Sequence, residues 1–241
     1  MMKLLPPPPC SMQSRPWKTD VPWPCLSAIL FGTLGMAAGA VILVQRLRGR
    51  RPDTMVEGIV QLTLLTTLLA MFALIPPRGK LAEKLGSRRL NRSDIRIVAI
   101  GLIMIYAWNI FATGIWENIL RYFGLAFETR QELIKECSGA SPAQFLMLVL
   151  TAGVLTPFVE EVLFRRLIFG LLRPLGAWAA LTITALIFAA AHGFLYGLPA
   201  LFGLGAVFQL QYLYTGNLRT SIATHMAFNI ISLTAVFLVG I

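Results

Sequence analysis

Between Phe145 and Val159 lie fifteen residues without a single charge, and the next two residues are Glu160 and Glu161. The apolar run resumes at Val162 and ends at Arg165 and Arg166. No other stretch constrains the chain as strongly. A carboxylate pair at bilayer depth is costly, and it is tolerated where it faces a partner or a wet cavity and does chemistry there. The only histidines, His192 and His225, also fall in apolar stretches. The three places read as one site.

The surroundings of that site are expected to be lipid. Of 241 residues, 56% are hydrophobic and 13% are charged, against about 25% charged in a soluble domain. Spans of roughly 20 apolar residues cross the hydrocarbon core, and about seven such spans are legible: an all-α, polytopic fold. The net charge of +10 does not imply a nucleic-acid partner. The cations crowd into connections between apolar spans, where membrane orientation and headgroup contact account for them. Cys10, Cys25 and Cys137 are odd in number and share no CxxC spacing, so neither a disulfide framework nor a thiolate metal site is expected.

In chain order, residues 1–24 form a proline-rich tail with Pro6 to Pro9 at its centre, expected to be extended or disordered. Residues 25–140 form an N-terminal transmembrane region. Its spans are expected near 26–44, 59–75 and 97–116, the first as an uncleaved anchor. The connection from Arg78 to Arg96 holds seven Lys or Arg residues, which places it on the cytoplasmic side. Alternation of spans then puts Arg46, Arg48, Arg50 and Arg51 outside, against the same rule. The loop 117–141 is expected outside, with a short surface helix near 128–136. From Ser141 onward the pattern is a helix start: serine to cap, Pro142 at the first helical position, Gln144 to close a capping box. The remaining spans run from there through the Glu pair, then near 177–191, 199–214 and 222–239. Pro157 cannot donate a backbone hydrogen bond and is expected to kink the Glu-bearing helix; the freed carbonyl then needs protein or cavity water.

Helical spacing divides the polar residues into roles. Residues four apart share a face, while neighbours are about 100° apart. Glu161 and Arg165 can therefore pair along the helix, which turns Glu160 toward something else. His225 and Asn229 repeat the four-residue spacing. A carboxylate, two imidazoles and a carboxamide can activate water and hold an oxyanion. Zinc accepts carboxylate and imidazole ligands, but there is no HExxH spacing and Arg165 competes for Glu161. One difficulty is geometric. With straight helices from the turn at Arg173, Glu160 and His192 lie roughly 20–27 Å deep, while His225 lies nearer the turn. A kink, a short span or a dipping loop has to close the difference.

Glu160 to Arg165 fits EExxxR, Phe188 to His192 fits FxxxH, and His225 to Asn229 fits HxxxN. In this order within apolar spans, the trio resembles the CPBP family of intramembrane glutamic endopeptidases, which includes CAAX prenyl proteases and Abi-type bacterial proteins. The resemblance covers roughly 144–241 and, with the helix start at Ser141, implies a protease core over 141–241. It implies Glu160 as general base with His192, His225 and Asn229 as the oxyanion site, and Glu161 with Arg165 in support. It also implies no cofactor and no metal, and a membrane-anchored or lipid-modified peptide as substrate. The expected location is integral and multi-pass, in the inner (plasma) membrane. The competing classes are a non-catalytic membrane immunity or scaffold protein of the same fold and a proton-coupled transporter.

Overall fold

The computed structural model describes residues 87–125 and 132–239 without a break, with scattered residues inside 24–33 and 62–73. The expected proline-rich tail, most of the first span, part of the second and the basic run over 78–86 lie outside the described residues. Within the described residues every regular element is helical.

Helix α1 (Arg92–Tyr122) is longer at both ends than its apolar span. Asn91 and Asp94 form a capping box, each side chain accepting from the other's backbone N–H at 2.9 Å. That satisfies donors of the first turn and lets the helix start among charged residues. At the other end Gly124, with φ +64°, takes the left-handed conformation that reverses the chain. The short helix α2 (Glu132–Ser138) falls close to the expected surface helix. Its Cys137 is nevertheless buried and donates to the carbonyl of Leu233 at 3.3 Å.

A composite helix of 34 residues, Pro142–Leu175, follows. It opens with α3 (Pro142–Leu148), and the expected box forms, Ser141 N–H donating to Gln144 Oε1 at 2.8 Å. The register then loosens into a π-helical stretch, Val149–Leu155. It tightens as α4 (Thr156–Glu161) and loosens again over Val162–Ile168. The helix closes through α5 (Phe169–Leu172) and a 3-10 turn at Arg173–Leu175. Two π stretches thus bracket the six residues that carry the Glu pair, a distortion that recurs at functional sites.

Three helices remain: α6 (Ala177–Ala191), α7 (Leu198–Thr215) and α8 (Leu218–Val239). Helix α7 packs against both α6 and α1, and α8 packs against α1, α7 and the composite helix. Among the described residues, α1, the composite helix and α8 are long and apolar enough to cross a membrane. The protein is an integral membrane protein; three spans are found among the described residues, against about seven expected.

Helix α6 has 15 residues, about 22 Å of rise, which is short of a hydrocarbon core of about 30 Å. Its connection to α7 presents backbone carbonyls that take protein partners. Helix α1 supplies them: Trp108 Nε1 donates to the carbonyl of Pro199 at 2.9 Å and Trp116 Nε1 to that of Leu195 at 3.3 Å. The Tyr196 hydroxyl donates to Glu117 Oε2 at 3.2 Å. Burial, with the Glu117 carboxylate beside it, holds the Tyr196 phenol above its ordinary pKa, so it remains a donor.

Candidate active site

The Glu pair sits where the composite helix meets α8. Glu161 is fully buried and takes Arg165 in a fork: Arg165 Nε donates to Oε2 at 3.0 Å and an Nη donor reaches Oε1 at 3.3 Å. The four-residue spacing predicts this contact, and it forms inside a π-helical stretch. The same Oε1 accepts from His225 Nδ1 at 3.1 Å. Across the ring, His225 Nε2 lies 3.8 Å from Glu160 Oε2. One imidazole therefore stands between two carboxylates that are adjacent in sequence. Glu160 is the less enclosed of the two, its side chain 21% exposed against 0% for Glu161.

A carboxylate oxygen accepts only, so Nδ1 of His225 carries a proton and the ring presents Nε2 to Glu160. His192 is fixed in a similar manner by a different group. Its Nδ1–H donates to the carbonyl of Phe188, four residues back, at 2.8 Å. In the neutral ring this leaves Nε2 with its lone pair as the acceptor.

Phenylalanines wall these groups off. The Arg165 guanidinium carbon lies 5.2 Å from the Phe188 ring centre, 5.6 Å from that of Phe208 and 6.0 Å from that of Phe164. This is within cation–π range on three sides. Phe208 also stacks on His225, with ring centres 4.5 Å apart and planes 21° from parallel. Phe188 stands between the histidines, 4.8 Å from the ring of His192 and 6.0 Å from that of His225. Such apolar walls exclude water and strengthen every charge interaction inside them.

Asn229, one helical turn beyond His225, donates through Nδ2 to the carbonyl of Ala152 at 2.8 Å, in the first π stretch. The structure thus joins Glu160, Glu161, Arg165 and His225 directly, and His192 joins through Phe188. Asn229 anchors to the backbone of the same composite helix.

Sequence reasoning missed Phe208 and the Ala152 carbonyl. The first is one aromatic in an apolar helix; the second is backbone, which no side-chain pattern marks. Phe188, which opens the FxxxH match, packs against the two imidazoles and Arg165.

Comparisons with known proteins agree with these motifs. The family of type II CAAX prenyl endopeptidases, Rce1-like, matches residues 142–231. The membrane-embedded CAAX protease MroQ of Staphylococcus aureus (strain USA300) is 37% identical over 84 residues, or 32% of this chain and 34% of that protein. The chain thus spans about a third of the length of that relative. No solved structure matches. The matched segment contains Glu160, Glu161, Arg165, His192, His225 and Asn229, and over it the chain is similar to the Rce1-like CAAX prenyl endopeptidases.

Proposed function

We propose that this chain is an intramembrane endopeptidase of the glutamic type, cleaving a membrane-anchored or lipid-modified peptide. The observation that carries the reading is the line Glu160–His225–Glu161–Arg165, buried in an apolar bundle with only its Glu160 end partly exposed.

In this mechanism Glu160 is the general base. It takes a proton from water as the hydroxyl oxygen bonds to the scissile carbonyl carbon, with the lone pair of His192 Nε2 helping to orient that water. The carbonyl oxygen becomes an oxyanion, which the second N–H of Asn229 stabilises, joined by His225 in the form that carries a proton on Nε2 as well as on Nδ1. As the C–N bond breaks, the proton held by Glu160 passes to the leaving nitrogen, and an acid and an amine result. Glu161 and Arg165 keep the His225 ring in place. Glu161 is occupied by Arg165 and His225, which leaves a poor ligand set for zinc.

The functional division proposed with this is a core at 141–241 that carries the chemistry and an N-terminal transmembrane region at 25–140 that flanks and buttresses it. The location proposed is the inner (plasma) membrane.

The test uses the full chain in lipid nanodiscs with a library of membrane-anchored and prenylated peptides, products read by mass spectrometry. Wild type should cleave a subset, and Glu160→Gln should lose roughly 10²–10⁴-fold in rate, as expected for removal of a general base. Equal cleavage by both forms, or none by wild type across the library, would sink the proposal.

A further inference from the structure

The carbonyl of Ala152 is the point where three independent facts of the chain meet. Residues Val149–Leu155 are π-helical, and at the end of that stretch the N–H of Thr156 donates five residues back, to the carbonyl of Thr151. Continuing the same register, the donor for the carbonyl of Ala152 is residue 157. That residue is proline and has no N–H. A backbone acceptor is thus released inside an apolar bundle, where an unmet carbonyl is costly. Asn229 Nδ2 donates to it at 2.8 Å.

We infer that Asn229 is a positioning residue: its amide replaces the hydrogen bond that Pro157 cannot make, and so fixes the rotation at which α4 presents Glu160 and Glu161 to His225. The inference rests on the reading of this centre as a water-activating site, and it adds to it a second task for Asn229. One helix, α8, grips the composite helix at two heights. His225 holds the carboxylates, and Asn229, four residues on, holds the backbone just before the turn that carries them. The π register makes the grip necessary. With a residue other than proline at 157, the backbone would satisfy Ala152 unaided, and the phase of α4 would no longer depend on α8. The bond also orients the carboxamide itself, because one Nδ2 proton is committed and the other is left with a fixed direction.

The test is rescue. Four full-length proteins are compared: wild type, Asn229→Ala, Pro157→Ala and the double variant. Two readouts are taken, peptide cleavage in nanodiscs and the thermal midpoint in detergent. Asn229→Ala should lower the midpoint and lose about 100-fold in cleavage, the cost of a displaced reacting group. Adding Pro157→Ala restores a backbone N–H opposite Ala152, and should return the midpoint toward wild type and recover cleavage by about 10-fold. A double variant with a midpoint and rate no better than Asn229→Ala would overturn the inference while leaving the endopeptidase reading intact. If Asn229→Ala fails to accumulate folded, recovery of folded protein in the double variant supports the inference, and its failure to fold overturns it. A wild type that cleaves nothing defeats the endopeptidase reading instead, and the thermal midpoints still decide whether the carbonyl is held as described.

Discussion

At the scale of single residues, Arg165 holds the most consequential position. Its guanidinium is fully buried, pairs with the equally buried Glu161 and is ringed by Phe164, Phe188 and Phe208. Removing one member of such a pair strands the other charge without water. Arg165→Met is therefore expected to cost roughly 3–5 kcal/mol, read as a lower unfolding midpoint in detergent. Glu161→Gln combined with Arg165→Met should cost less than Arg165→Met alone, because no naked carboxylate remains. A double variant less stable than Arg165→Met would mean that the pair is not the source of the loss. Lysine is no substitute here, since it provides neither the planar fork nor the stacking on the aromatic faces.

At the scale of elements, the contact between α6 and α7 sets where Phe188 sits, and through it both histidines. Gly205 makes that contact close. A Cβ built there would come within 3.1 Å of Phe188 Cδ1 and 3.2 Å of Ala185 Cα. Gly205→Ala forces the helices apart or turns the phenylalanine, at roughly 1–3 kcal/mol, and cleavage should fall further than the lost stability alone explains. Normal cleavage from that variant would show that Phe188 tolerates displacement. The elements also divide into what the sequence makes legible and what it does not. The Glu161–Arg165 pair and the Ser141 box lie four and three residues apart, so helical periodicity alone announces them. Pro157 announces a break but not its register, and the partner of the Ala152 carbonyl, Asn229, lies 77 residues away. The bond from His225 to Glu161 joins residues 64 apart in sequence, and it needs the whole bundle to bring them together.

At the scale of the molecule, one clamp ties the start of α1 to the turn before α8. Asp94, 2% exposed, accepts a bidentate fork from Arg88 at 2.6 and 2.9 Å and a bond from Asn217 Nδ2 at 3.4 Å. Asn217 Oδ1 in turn accepts from the backbone N–H groups of Arg88 and Arg219, and Gly216, with φ +60°, makes the turn that aims it there. Asp94→Ala removes one half of the capping box and the centre of this cluster together, and is expected to cost about 1–3 kcal/mol. The measurement is again the thermal midpoint; a change within error would mean that Arg88, half exposed, carries little. At the opposite end, Trp108, Trp116 and Glu117 grip the connection behind His192. That connection is consequently a fixed wall and not a flap. On the proposed function, a substrate on its way to Glu160 would have to come in from another side of the bundle than this connection.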